Sequence, residues 1–142
     1  GNPMYDQWSI REKPYTDLIN KGDREGASKA FMNLWGTGAD WADIPEHQRT
    51  YITKRIHLIS AGSKSVISPG KDRMLLSDYK KVKIPVYLLE GEHSPIVISE
   101  VQKTLLHTFP NALRSIIDGA GHMAPITHPE EFAKEVKNFI EL

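Results

Sequence analysis

Apolar positions along this chain follow two different spacings, and the change from one to the other falls near residue 83. Before that point, apolar side chains recur every three or four residues, which is the spacing of one face of an α-helix. After it, short apolar runs alternate with helical patterns, which is typical of buried strands joined by helices. We therefore expect a helical region over residues 1–82 and a β-α-β-α region over residues 83–142, packed as one compact unit.

Two helices are predicted in the first region. Asp23 can cap the first of them, and Gly36 follows its last apolar residue. Pro45 suits the first turn of the second helix, because proline lacks an N–H group that this turn would leave unpaired. Gly62 is predicted to end that helix, and residues 63–73 are predicted to form a loop.

The second region predicts two parallel strands with a helix between them. Residues 84–91 form a short apolar run that ends in glycine, as expected for a strand buried on both faces. Ser94 supplies a capping hydroxyl and Pro95 a first turn for a helix that runs to about His107. Residues 113–119 predict the second strand. Because a helix separates the two strands, we expect them to be parallel.

A final amphipathic helix is predicted to begin at Pro129. Glu130 and Glu131 place negative charge in its first turn, where the helix dipole favours it. The predicted buried face consists of Phe132, Val136, Phe139 and Ile140. The fold class expected from these patterns is α/β, with helices preceding a short parallel β-α-β-α unit.

Composition and charge exclude several kinds of protein. The 142 residues carry 18 basic and 18 acidic side chains and no cysteine. A balanced charge gives no indication of nucleic acid or an anionic membrane as partner. The lack of cysteine excludes disulfides, thiolate zinc sites and a cysteine nucleophile. The six histidines form no metal-binding spacing, so we expect neither metal nor cofactor. Without a signal-peptide pattern or a long apolar run, we expect a soluble, cytoplasmic protein.

The most informative single residue is His122. Gly119 and Gly121 frame it in a loop that follows the second predicted strand. A histidine at the carboxyl end of a parallel strand can serve as the general base that a serine nucleophile needs. The alternative is an ordinary loop histidine whose hydrogen bonds go to the backbone or to water.

Two stretches resemble the α/β-hydrolase family. Residues 83–140 are similar to the last third of such proteins, and the Gly-Ala-Gly-His-Met sequence at 119–123 matches the histidine loop of the family. Residues 22–56 resemble the helical cap found in one branch of these hydrolases. The resemblance implies a partial α/β-hydrolase fold, with His122 as the general base of a Ser–acid–His triad that hydrolyses esters or related acyl compounds.

The rest of that triad is not evident in the chain. The serine elbow of this fold has the pattern G-x-S-x-G, which does not occur here. Ser94 stands where many family members carry the aspartate. Glu92 is an alternative acid, although a glutamate close to a helix start more often interacts with the helix dipole. We therefore expect the isolated chain to be inactive.

Two interpretations remain for the whole chain. It is either the base-and-cap portion of a hydrolase or a non-catalytic relative that associates with itself or binds a small molecule. Trp35 and Trp41 either line a pocket for a small apolar ligand or pack between cap helices. Under both interpretations the strand at 84–91 would have an open sheet edge and an uncovered apolar face, so we expect a homodimer or a complementing chain to supply the missing sheet.

Overall fold

A computed structural model describes residues 3–67 and 75–141, and the chain divides into two compact units. Unit 1 comprises residues 1–73, and unit 2 comprises residues 74–142. The elements of unit 1 are α1 (Pro3–Asn20), α2 (Arg24–Trp35), a 3₁₀ turn (Trp41–Asp43), α3 (Glu46–Arg55) and α4 (His57–Ile67). Those of unit 2 are a 3₁₀ helix (Leu76–Lys81), β1 (Val86–Gly91), α5 (Ile96–Thr108), β2 (Ala112–Ile117), α6 (Ala124–Thr127) and α7 (Pro129–Ile140). The sequence-based boundary after residue 82 stays a prediction.

Helix α2 begins and ends where the sequence predicts. The carboxylate of Asp23 accepts a hydrogen bond of 2.9 Å from the N–H of Gly26, which satisfies one of the free donors of the first turn. At the other end, the N–H of Gly36 donates to the carbonyl of Met32 at 2.8 Å. Both predicted ends are therefore confirmed.

The single helix predicted from Pro45 to Gly62 is wrong in two respects. The structure has two helices, α3 and α4, which meet at the buried residue Ile56. Helix α4 then continues through Gly62 to Ile67, because a glycine inside a helix costs only about 1 kcal/mol relative to alanine and does not have to end it. The predicted loop is thus helical as far as residue 67, and residues 68–73 lie outside the described residues.

Helix α1 has no counterpart in the sequence-based prediction. Its apolar residues are irregularly spaced, and Pro14 lies within it, which normally disfavours a helix interior. The helix is held by packing, since Tyr15 is only 2% exposed. The ring of Tyr15 meets the ring of Phe31 on α2 edge to face, with 5.4 Å between centroids. Tertiary contact therefore decides the structure of this segment.

The two strands of unit 2 pair in parallel, as predicted, from Val86 opposite Ala112 to Gly91 opposite Ile117. The expectation that β1 is buried on both faces is wrong for most of its length. Only its last two residues are buried, and the four before them are half-buried. In the described part of the chain β1 has one neighbouring strand, so its second edge gains no cover from the sheet.

Helix α5 starts later than predicted, and this changes the role of Ser94. The helix begins at Ile96, one residue later than a Ser94 cap requires, and Pro95 occupies the capping position. The N–H of Ile98 donates to the carbonyl of Pro95 at 2.8 Å. Ser94 is therefore not the helix cap, and its hydroxyl is left for other contacts.

Helix α7 packs on the sheet through a narrower face than predicted. Phe132, Val136 and Phe139 are half-buried, and Phe139 stacks on Tyr87 of β1 with 4.9 Å between ring centroids. Ile140, predicted to be buried, is 76% exposed. It is the last residue of the helix, where the described residues of the sheet no longer cover it.

Candidate active site

His122 lies in the loop that follows β2, beyond the carboxyl ends of both strands. The chain turns at Gly119, whose φ of +69° is strained for a residue with a side chain. Ala120 is fully buried, and with Ile117 and Ala124 it forms the apolar cluster of unit 2. The loop that carries His122 is thus anchored by buried residues on both sides.

The end of β1 is tied to the same loop by the backbone. The N–H of Glu92 donates to the carbonyl of Ile117 at 3.0 Å, and the N–H of His93 donates to the carbonyl of Ala120 at 2.8 Å. These bonds continue the pairing of β1 and β2 past the end of the sheet. They place the segment 91–94 directly beside the histidine loop.

Gly91 allows this close approach because it has no side chain. A Cβ atom at this position would lie 2.3 Å from the carbonyl oxygen of Gly121 and 2.4 Å from that of Ala120. Both atoms belong to the backbone, so they cannot rotate away as a side chain could. The glycine that ends the predicted strand therefore also sets the position of the histidine loop.

The carboxylate of Glu92 holds the other side of the loop. Its Oε2 atom accepts a hydrogen bond of 2.9 Å from the N–H of Gly119 and lies 3.9 Å from Nε2 of His93. Glu92 and His93 are both exposed. These contacts give Glu92 a role in shaping the turn, and its role as a triad acid stays a prediction.

Beside the loop, unit 2 contains a groove of about 310 Å³. Most of its lining is apolar, and its polar side chains are those of His122, Ser94, Glu90 of β1 and Gln102 of α5. The lining residues are Leu88, Leu89, Glu90, Gly91, Ser94, Ile98, Val101, Gln102, Leu105, Ile117, His122, Ala124, Pro125 and Phe132. A groove of this composition can hold an apolar group next to an imidazole.

The lowered pKa of His122 suits a general base. The protein around the ring displaces water that would stabilise the charged form, and this lowers the pKa of the imidazole below its usual value of 6.5. The neutral form therefore predominates at neutral pH. Only the neutral ring has a nitrogen lone pair that can accept a proton.

One of the lining residues, Glu90, belongs to a buried ion pair. Nη2 of Arg114 on β2 donates to Oε1 of Glu90 on β1 and to Oγ of Ser99 on α5, the latter at 3.0 Å. The side chain of Glu90 is 4% exposed and that of Arg114 is 16% exposed. This pair was not predicted from the sequence, although each strand has one charged residue within its apolar run and the two charges are opposite.

The second edge of β1 is partly covered by a side chain. The N–H of Val86 donates to the carbonyl of Asn111, so the backbone groups of alternate residues, Leu89 among them, point away from β2. The carbonyl of Leu89 accepts a hydrogen bond of 2.7 Å from Nε2 of Gln102. Oε1 of Gln102 is buried and has no hydrogen-bond partner among the described residues.

The two tryptophans named as ligand-pocket candidates have different surroundings in unit 1. Trp41 is 8% exposed and lines a cavity of about 390 Å³. The other lining residues are polar or charged: Glu25, Glu46, Arg49, Thr50, Thr53 and Lys54. Trp35 forms a side-chain hydrogen bond with Tyr15, whose hydroxyl also donates to Glu12 at 2.8 Å. Burial is the main cause that raises the pKa of Tyr15.

Among residues 3–67 and 75–141, no three histidine or carboxylate side chains are grouped as a metal ion would require. Within the same ranges, no helix is both long and apolar enough to cross a membrane.

The structure is similar to two solved structures. One is a bromoperoxidase from Bacillus anthracis, with a TM-score of 0.65 and 23% identity over 94% of this chain and 49% of that one. The other is a serine hydrolase involved in carbazole degradation, the CarC enzyme, with a TM-score of 0.58 and 23% identity over 83% of this chain and 47% of that one. No protein-family model matches the sequence, and no curated protein matches it.

The chain spans about half the length of both structures. Its parallel strand pair and its helices correspond to part of their fold and are consistent with the C-terminal part. The resemblance and the fold class expected from the sequence are therefore confirmed: this chain has a partial α/β-hydrolase fold.

Proposed function

We propose that this chain supplies the general base and the helical cap for ester or related acyl hydrolysis, with a nucleophile that lies outside these 142 residues. The observation that carries the proposal is the position of His122. It lies beyond the carboxyl ends of two parallel strands, where α/β folds place their reactive groups, and it faces an apolar groove. One of the two similar solved structures is a serine hydrolase, which is in keeping with this chemistry.

In this proposal the neutral ring of His122 removes the proton from a serine hydroxyl as that hydroxyl attacks the acyl carbon. The imidazolium then returns the proton to the leaving alcohol or amine. The lowered pKa of His122 favours the first step, since the base form is already present at neutral pH. The apolar groove would hold a small apolar or acyl group of the substrate.

The sheet edge indicates how the missing part would join. Among the described residues, β1 has an unpaired edge. A strand from a second copy of the chain, or from a complementing polypeptide, would pair there and cover the apolar groove. The balanced charge fits a protein partner and not a nucleic acid or a membrane surface. A cytoplasmic location remains part of this proposal.

A non-catalytic module would use the same groove and the same edge for ligand binding or self-association. The two functions differ in what they require of His122. Hydrolysis requires its basic nitrogen, whereas a binding module tolerates its replacement by a side chain of similar shape.

A chimera separates these functions. The half of the carbazole-degradation serine hydrolase that this chain does not cover would be fused to the chain, and hydrolysis of a p-nitrophenyl ester would be followed. We expect no turnover by the 142 residues alone, turnover by the chimera, and a loss of at least about 100-fold in kcat/KM in its His122→Gln variant.

Matched controls keep this result interpretable. His47→Gln in the same chimera replaces an exposed histidine of unit 1 and should leave kcat/KM unchanged. A fluorophosphonate probe should label the supplied serine and no residue of the isolated chain. If the chimera is folded and active and its kcat/KM does not change in the His122→Gln variant, the proposed function is wrong.

A further inference from the structure

The side chain of Gln102 joins helix α5 to the open edge of β1. Its Nε2 atom donates a hydrogen bond of 2.7 Å to the carbonyl oxygen of Leu89. A carbonyl oxygen can only accept hydrogen bonds, so the nitrogen of the amide, and not its oxygen, must face Leu89. Leu89 is one of the β1 residues whose backbone groups point away from β2. The bond therefore lies on the side of β1 where a further strand would pair.

This contact leaves the other half of the amide without a partner. Oε1 of Gln102 is buried and makes no hydrogen bond among the described residues. Burial removes the bonds of such an oxygen to water, and leaving them unreplaced costs free energy. That cost offsets part of what the bond to Leu89 contributes. The side chain can therefore exchange this position for another one at little loss of stability.

A strand paired at Leu89 and the present position of Gln102 exclude each other. A paired strand would lie about 4.8 Å from β1 and place an N–H group about 2.9 Å from the same oxygen. The amide of Gln102 already lies within that gap. Gln102 is half-buried, and its neighbours Val101 and Lys103 are exposed, so its long side chain has solvent beside it into which it can rotate.

We propose that Gln102 blocks strand pairing at the edge of β1 when the chain is alone, and that it turns away from Leu89 when a second copy of the chain pairs there. This inference rests on the proposed function for the use of that edge by a partner. A second copy presents the same open edge, and two equal edges can pair about a two-fold axis. The net charge of zero does not oppose such self-association.

Gln102→Ala removes the amide and should strengthen self-association. Sedimentation equilibrium of the full chain over a range of concentrations gives the dissociation constant of the dimer. Loss of the competing hydrogen bond should lower this constant roughly 3- to 10-fold. Gln48→Ala makes the same change at an exposed position of α3 and should leave the constant unchanged. An unchanged or larger constant for Gln102→Ala, or no association by either protein, would overturn the proposal.

Amide hydrogen exchange distinguishes strand pairing from a simple loss of bulk beside the groove. At a concentration between the two dissociation constants, the Gln102→Ala variant is mainly dimeric and the unsubstituted chain mainly monomeric. The N–H of Leu89 points to the same edge as its carbonyl, so it should exchange more slowly in the variant. Tighter association without slower exchange at Leu89 would also overturn the proposal.

A second pair of variants covers the case in which Gln102→Ala does not fold, as judged by circular dichroism. Gln102→Met keeps the length of the side chain and removes the amide, with Gln48→Met as its control. The same lowering of the dissociation constant is expected, and its absence would count against the proposal. Because no hydrolysis is measured, failure here is distinguishable from failure of the chimera to turn over an ester.

Discussion

Units 1 and 2 differ in how much apolar surface they leave uncovered. Among residues 9–62 of unit 1, three large apolar side chains are exposed: Ile10, Tyr51 and Leu58. Among residues 75–141 of unit 2, nine are exposed: Leu75, Leu76, Ile84, Ile96, Val101, Leu113, Ile116, Ile126 and Ile140. Unit 1 also buries large apolar residues, such as Tyr15, Trp41 and Ile56, whereas the buried cluster of unit 2 is one isoleucine and two alanines.

The difference follows from the elements of each unit. In unit 1, helix α2 packs against both α1 and α3. The described residues of unit 2 form a sheet of only two strands. Such a sheet needs further elements to cover its faces and its two outer edges. The candidate base His122 therefore lies in the unit with more exposed large apolar side chains, which fits the proposal that another polypeptide completes the site.

The largest expected effect on stability concerns the ion pair of unit 2. Arg114→Met leaves the carboxylate of Glu90 buried without its partner, and we expect a loss of about 3–5 kcal/mol in the free energy of unfolding. Urea denaturation followed by circular dichroism measures it. The double variant Glu90→Leu/Arg114→Met removes both charges and should recover most of the loss.

The matched control is an ion pair of unit 1. Lys13 and Asp17 lie 2.6 Å apart, and both side chains are largely exposed. Lys13→Met should therefore cost less than about 1 kcal/mol. If Lys13→Met and Arg114→Met lowered the free energy of unfolding equally, the burial of the Glu90–Arg114 pair would not make it more important for stability than an exposed pair. That result would contradict the expectation.

A pair of glycine substitutions gives the next largest effect. Gly91→Ala places a methyl group against two backbone oxygens, so we expect a loss of about 1–3 kcal/mol. Gly62→Ala has open space around it inside α4, and we expect a gain of up to about 1 kcal/mol. Circular dichroism follows the first variant. Tryptophan fluorescence follows the second, since all three tryptophans precede residue 74. A Gly91→Ala variant as stable as the unsubstituted chain would refute the close approach at the histidine loop.

Much of the fold could be predicted from local sequence signals. The cap at Asp23, the parallel strands and the helix after Pro129 each follow from residue types at fixed spacings. Helix α1 could not, because the burial of Tyr15 against another helix outweighs the proline inside it. The predicted helix end at Gly62 was also wrong, because a glycine permits a helix to end without requiring it.

The site could be predicted only as far as its loop. Two glycines around one histidine indicated an exposed position at a strand end, and the structure places His122 there. The partners around it depend on residues distant in the sequence, such as Glu90 with Arg114. Ser94 was assigned to a helix cap because a serine before a proline is typical of one, and a shift of one residue in the helix start changed its environment.

The smallest expected effect is a dependence of stability on pH. Burial lowers the pKa of His122 in the folded state, so the unfolded chain binds more protons between that value and about 6.5. The free energy of unfolding should therefore rise with pH through this range and fall as the pH is lowered below 6.5. In His122→Gln the slope should be smaller. If the free energy of unfolding changed with pH equally in the unsubstituted chain and in His122→Gln, burial of the ring would not lower the pKa of His122, and the prediction would be wrong.

Sedimentation of the isolated chain is the decisive measurement for the proposal that another polypeptide completes unit 2. We expect a dimer or a larger oligomer at micromolar concentration. Val101→Glu, which charges a half-exposed residue lining the groove, should dissociate it. Leu58→Glu, at a similarly exposed position of unit 1, should not. A stable monomer, or dissociation by Leu58→Glu but not by Val101→Glu, would contradict the account.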